Sequence, residues 1–280
     1  MKNILLPTDF SYNSKNAIDY ALQLFKNDLC TFYFFHVQKI SQYTTDDLMT
    51  SSTGSDIYQT VIIDAKKELK EYVNLIRVKH KNNSHIFKES IDYDNFTDAI
   101  NQTVQLNKID IIIMGTNGRT GAAEVVFGSN TLNVIRNVKC PTITVPHNYT
   151  YKLPKHLLFI PDKDEHLTTK NSELLTDLYM KFKTVVSILK IDKKADLSIK
   201  ENQNLEKSIM SLKTIKPNIH TILNVPLPEA IDSFVQLMNV DIVSLFVKKE
   251  SFLDRLFKGS ITDNICYGSR VPLLLMHEEK

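Results

Sequence analysis

The sequence lacks any long apolar run and any tryptophan, and it has three scattered cysteines, Cys30, Cys140 and Cys266. A membrane span needs roughly 20 consecutive apolar residues, so no segment reads as transmembrane. The apolar stretch inside Met1–Pro7 is too short for the core of a signal peptide, and the expected location is the cytoplasm. There is no CxxC pair, which argues against thiolate metal sites and redox chemistry. Cys30 and Cys140 lie in or beside apolar runs and read as small buried hydrophobes. A dense Lys/Arg cluster is also missing. The net charge is +2, and the two halves are each nearly balanced, which disfavours nucleic acid and anionic membranes as partners.

Catalytic signatures are absent too. GxxxxGK[ST], GxSxG, HExxH and the protein-kinase motifs do not occur, and no GxGxxG follows the first apolar run. Nothing visible would aim a water at a γ-phosphate, so a binding module with at most slow, incidental hydrolysis is expected rather than an enzyme. What remains is ordinary for a soluble globular protein, with 42% apolar and 24% charged residues. A length of 280 residues suits two domains of about 140 each.

Glycine is the scarcest informative residue. Of the seven in the chain, Gly115, Gly118, Gly121 and Gly128 fall within fourteen positions. They follow Ile111–Met114, a run apolar on both faces and therefore expected to be a buried strand. They precede Gly128-Ser129-Asn130, which opens a helix expected over Thr131–Val138. Glycines let a backbone turn sharply and approach a ligand closely. Backbone N–H groups freed in such a turn form a nest for anions, and a helix start favours negative charge. The stretch reads as a phosphate cradle.

The rest of the first half alternates strand and helix. Strands are expected at Asn3–Leu6, Leu29–Val37, Ile86–Ile91, Ile109–Met114 and Thr142–Val145. Between them, Ser11 caps a helix carrying Ala17, Ile18, Ala21, Leu22 and Phe25 at helical spacing. Asp56 is expected to cap a long helix bearing Ala65, Leu69, Val73 and Ile76, and Asn95–Asn107 forms a third helix. Gln38–Ser55 is polar and reads as a mobile loop. This alternation predicts a parallel α/β sheet, Rossmann-like and doubly wound, with ligands beyond the strand C-termini.

The second half repeats the scheme. His156–Ile160 followed by Pro161-Asp162 mirrors Asn3–Leu6 followed by Pro7-Thr8-Asp9. Val185–Ile191 and Asp241–Val247 match the second and fourth strands. Gly128-Ser129 and Gly259-Ser260, Pro141 and Pro272, and Asp98-Ala99-Ile100 and Glu229-Ala230-Ile231 are each 131 positions apart. A repeat of that period means a duplicated domain. The expected division is 1–148 and 153–280, with Pro146–Pro154 as linker. At this offset Phe246 stands opposite Gly115 and Lys249 opposite Gly118, so side chains fill the second copy's cradle, which should be degenerate.

With Pro7-Thr8-Asp9, His36-Val37 and the Gly115-x2-Gly118-x9-Gly128-Ser129 spacing in place, the chain resembles a tandem universal stress protein, strongly in its first half. The resemblance implies a five-stranded parallel sheet binding ATP or a related adenine nucleotide, in a stress-response or regulatory role. It implies that Asp9, helped by Pro7 and Thr8, contacts the nucleoside, and that Val37 presents backbone groups to adenine. Met114, Gly115, Gly118 and Arg119 would follow the ribose and phosphates, and Gly128, Ser129 and Asn130 would hold the phosphate end. The chemistry is suitable: a carboxylate accepts hydrogen bonds from ribose or coordinates Mg²⁺, and Arg119 offers a fork to phosphate. Asp9 serves equally well as a helix cap, Arg119 as a solvated charge, and His36 as a locally packed strand residue. The resemblance also implies a pseudo-dimer within the chain through Thr142–Val145 and Leu273–Met276, with a homodimer of whole chains left open. The rival readings are a nucleotide-hydrolysing or adenylate-forming enzyme using Asp9 and Ser129, and a structural interaction protein without ligand.

Overall fold

The computed structural model describes residues 1–38, 54–93, 95–116, 127–161, 169–192, 199–212, 215–247 and 270–277. In the first half, strands β1 (Lys2–Pro7), β2 (Cys30–Val37), β3 (His85–Asp92), β4 (Ile111–Gly115) and β5 (Thr142–Val145) alternate with helices α1 (Tyr12–Leu24), α2 (Gly54–Lys79), α3 (Phe96–Leu106) and α4 (Ser129–Asn137). In the second half, β6 (His156–Ile160), β7 (Val185–Asp192), β8 (Asn218–Leu223), β9 (Ile242–Val247) and β10 (Leu273–His277) accompany α5 (Thr169–Phe182), α6 (Ile199–Ser211) and α7 (Leu227–Met238). All ten strands lie in one sheet in the order β3-β2-β1-β4-β5-β10-β9-β6-β7-β8. Every pairing is parallel except β5–β10, which is antiparallel.

The central strands are buried on both sides, which is why they read as unbroken apolar runs. Ile4, Leu6, Phe32, Phe34, Ile111 and Ile113 pack on one face with Ala17, Ile18 and Ala21 of α1 and Leu69 and Val73 of α2. Leu5, Phe35, Ile112 and Met114 pack on the other with Ala99 and Ile100 of α3 and Val134 of α4. Burying a side chain of this size contributes about 1.5–3 kcal/mol. The alternation of period two along each strand thus sends helices to both faces.

The duplication is visible in the pairing registers. Ile112 pairs with Thr142 and Gly115 with Val145; 131 positions on, Val243 pairs with Leu273 and Phe246 with Met276. The hydrogen bonds outside the ladders repeat as well. Asn3 N–H donates to Asp110 Oδ2 at 2.7 Å, and Asp110 N–H returns to the Asn3 carbonyl at 2.9 Å. In the second half His156 N–H donates to Asp241 Oδ2 at 3.1 Å, and Asp241 N–H returns to His156 at 2.9 Å. Asn16 Nδ2 ties α1 to the Pro146 carbonyl, and Asn171 Nδ2 ties α5 to the His277 carbonyl. Pro146 and His277 again stand 131 apart.

Leu273, Leu274 and Leu275 face Thr144, Ile143 and Thr142 across the antiparallel seam, and β10 through Met276 is wholly buried. This pairing covers the β5 edge of the first half and the β10 edge of the second, which would otherwise be exposed. Around it, Lys2 bonds Asp177 at 2.8 Å. Lys181 reaches the Leu24 carbonyl at 2.6 Å and the Asp28 carboxylate, with its ammonium 4.8 Å from the Phe25 ring centroid. An exposed pair such as Lys2–Asp177 contributes little, and the buried leucines supply the apolar contact along the seam.

Three expectations shift. Helix α4 starts at Ser129, two residues earlier than its apolar spacing suggests, because Gly128 is its N-cap and makes no side-chain bond that would mark the start. Helix α2 begins at Gly54, so Asp56 sits in its first turn instead of capping it. Of the polar segment Gln38–Ser55, Gly54 and Ser55 are already helical and residues 39–53 lie outside the described residues, as do Gly259 and Ser260.

Candidate functional site

Strand order makes a crevice. From β1 the chain winds outward to β2 and β3, then returns to pair β4 on the other side of β1. Ligands of doubly wound sheets sit beyond the strand C-termini at such a reversal, here between the ends of β1 and β4.

At the end of β1 the polar groups of Thr8 are committed to the framework. Its N–H donates to the Phe35 carbonyl at 2.8 Å, its hydroxyl meets Ser14 Oγ at 3.1 Å, and its carbonyl accepts from His36 Nδ1 at 2.8 Å. His36 is therefore a locally paired strand residue. The chain then turns sharply: Phe10 takes φ 62°, a left-handed conformation uncommon for a bulky residue. Contact of its ring with His36, centroids 4.7 Å apart, and edge-on with Tyr72 at 6.2 Å holds it there.

That turn places Asp9 half-buried at the crevice, with Ser11 N–H donating to Oδ1 at 3.1 Å. Burial alone would push the carboxyl up, but hydrogen bonds from Ser11 and Ser14 outweigh it and hold its pKa below the ordinary value. Asp9 is therefore an anion near neutrality. The cap of α1 is Ser11, whose hydroxyl accepts from Ser14 N–H. Asp9 braces the turn ahead of the helix, with its carboxylate also at the crevice.

Val37 closes β2. Because the Phe35 carbonyl accepts from Thr8, alternation turns the Val37 N–H and carbonyl to the same side, past Pro7, the last residue of β1. Gln38 N–H, one step on, instead donates to Asp92 of β3.

At the end of β4, the Met114 side chain is in the core with Ile112 and Val134, and its main chain pairs with Thr144 of β5. Gly115 is buried, and its missing side chain has a definite cause: an added Cβ would lie 3.0 Å from the Asn13 carbonyl oxygen and 3.2 Å from Asn13 Cβ. Its carbonyl accepts from Thr131 Oγ1 at 3.1 Å. Thr116 N–H then donates to Val145 at 3.1 Å, and the Thr116 carbonyl accepts from Gly128 N–H at 2.8 Å. The two ends of the glycine-rich stretch are thereby pinned together. Ser129 and Asn130 are exposed at the start of α4. Gly118, Arg119 and Gly121 lie outside the described residues.

Three residues escaped the sequence reading. Thr116 is wholly buried, and its hydroxyl has no partner among the described residues. Asn13 and His147 meet through Asn13 Oδ1 and His147 Nδ1, a contact between positions too distant in sequence for any local pattern to signal. Among the described residues no group of three or more His, Cys, Asp or Glu side chains could hold a metal. No helix among them is long and apolar enough to cross a membrane.

Residues 1–146 match the Universal stress protein family. A universal stress protein of Methanocaldococcus jannaschii is 27% identical over 145 residues, covering 51% of this chain and 81% of that protein. A second from the same organism is 25% identical over 155 residues, covering 51% and 94%. Across the whole length, the crystal structure of a universal stress protein from Archaeoglobus fulgidus DSM 4304 superposes with a TM-score of 0.70 at 16% identity, covering 99% of this chain and 98% of that one. The sheet order, the repeated registers and these matches agree: the chain belongs to the universal stress protein family, with two copies of its α/β unit in tandem.

Proposed function

We propose that the chain is a nucleotide-binding regulatory module of the cytoplasm, taking ATP or a related adenine nucleotide in the first-half crevice. The observation that carries this reading is the closure at Thr116 and Gly128. It sets a nine-residue helix with no side-chain cap beside the ends of β1 and β4. Orphan N–H groups of a helix start favour phosphate, and the buried Thr116 hydroxyl has no partner among the described residues.

The remaining groups suit the rest of such a ligand. Val37 turns main-chain donor and acceptor to the crevice, the pair that the edge of adenine requires. The anionic Asp9 accepts from ribose hydroxyls or holds Mg²⁺. Pro7, Thr8, Met114 and Gly115 shape the floor. Gly118 and Arg119 complete the cradle with Gly128, Ser129 and Asn130. We divide the chain at 1–148 and 153–280 and assign binding to the first unit. In the second, Phe246 occupies in β9 the register position that Gly115 holds in β4, so the glycine of the first unit has no counterpart there.

Isothermal titration with ATP tests the reading. A saturable heat at or below millimolar ligand is expected. Its absence at millimolar ATP, a standard binding free energy no better than about −4 kcal/mol, overturns it.

A further inference from the structure

Two residues past the end of β5, His147 is exposed, yet its ring is fixed. Its Nδ1 meets Asn13 Oδ1 on the first turn of α1, and the Tyr12 ring packs edge-on at 5.6 Å between centroids. Asn13 also lies against Gly115. The imidazole is thus anchored, through one residue, to the end of β4. Amide Oδ1 only accepts, so Nδ1 carries the hydrogen and Nε2 is left for another partner. Ordering an exposed ring costs rotamer freedom, and no core packing offsets it at this position.

The neighbour order β2-β1-β4-β5 sets Val37, Asp9, Gly115 and His147 in a row along one edge of the sheet. A base at Val37 and a sugar at Asp9 send the phosphate chain past Gly115 in the direction of His147. We propose that His147 is the residue that selects for the terminal phosphate: its Nε2, protonated, donates a charge-assisted hydrogen bond to that group. This rests on the nucleotide reading above. Among the described residues the groups facing the ring are the Tyr12 phenol and the Asn13 amide, both from α1, and no carboxylate pairs with it, so the phosphate is the anion it meets. Affinity for a triphosphate therefore depends on this ring, and affinity for adenosine does not.

The test is calorimetry of ATP and of adenosine with wild type, His147→Gln and His147→Lys, each checked for an unchanged melting temperature. His147→Gln is expected to lose about tenfold or more in ATP affinity and to bind adenosine as wild type does. His147→Lys is expected to regain ATP affinity. If wild type binds ATP and His147→Gln matches it in affinity, the inference is overturned while the nucleotide reading stands. If wild type binds neither ligand, the nucleotide reading fails and takes this inference with it.

Discussion

Gly115 lies so close to Asn13 that it has no room for a side chain: an added Cβ at residue 115 would sit 3.0 Å from the Asn13 carbonyl oxygen. The obstacle is helix backbone, which cannot swing aside as a side chain can. Gly115→Ala should therefore push α1 off β4 and destabilise the protein by about 1–3 kcal/mol, the usual cost of overpacking. Urea unfolding of the variant checks this. An unchanged midpoint would mean that α1 is not seated on this glycine. This glycine serves helix packing first and any ligand second.

The two aspartates that clamp the strand starts give a second prediction. Asp110 accepts one main-chain N–H, from Asn3, whereas Asp241 Oδ2 accepts two, from Lys155 at 2.8 Å and His156 at 3.1 Å. Asp241 is also the more buried, at 8% exposure. Removing a buried acceptor leaves its donors unsatisfied at about 1–3 kcal/mol. Asp241→Ala should accordingly cost more than Asp110→Ala, and the pair should add, since distant sites couple weakly. Equal losses, or a double variant far from the sum, would contradict the paired-clamp account.

How far the sequence reveals this architecture depends on whether the controlling contact is local. Strands such as Thr142–Val145 and His156–Ile160 are found at their expected bounds, because two buried faces leave an unbroken apolar run. Ser11 marks the start of α1, because a hydroxyl cap is a sequence-level signal. Gly128 caps α4 with no side chain, so the sequence carries no mark of that helix start. The pairing offset of 131 was legible because duplication copies register along with residues. Nonlocal contacts left no trace: Gly115 reads as a ligand glycine until α1 is seen against it. The Asn13–His147 contact and the buried Thr116 hydroxyl depend on elements that only the fold brings together.

His277 predicts an acid-sensitive seam. It ends β10, its Nε2 is buried without a partner among the described residues, and burial, reinforced by Lys139, lowers its pKa to about 4. The ordinary value is 6.5. Between these values the unfolded chain binds a proton that the folded chain refuses, so the stability His277 allows is complete above about pH 6.5 and falls as pH drops toward 4. The full swing is up to about 3 kcal/mol. His80 and His85 are also depressed by burial, so the informative quantity is the difference between variants. His277→Leu should flatten the acid limb of a melting-temperature profile relative to wild type. Parallel profiles between pH 4 and 7 would remove His277 as a cause.

The asymmetry between the halves is tested where the two cradles are matched. Gly118 carries no side chain, and its counterpart 131 positions later is Lys249. The offset is not a matter of sequence alone, since Gly115 pairs with Val145 as Phe246 pairs with Met276. On the proposed reading, a valine at 118 adds a branched side chain to the stretch that meets phosphate. Position 118 falls in sequence between β4 and α4, outside both elements. Gly118→Val should then reduce ATP affinity at least about tenfold, a loss near 1.4 kcal/mol, with the melting temperature held. Lys249→Val should leave affinity as it was, because the second cradle already bears side chains. Titration calorimetry on both variants decides it: equal weakening would put ligand in both halves, and no weakening in either would place the phosphates away from this loop altogether.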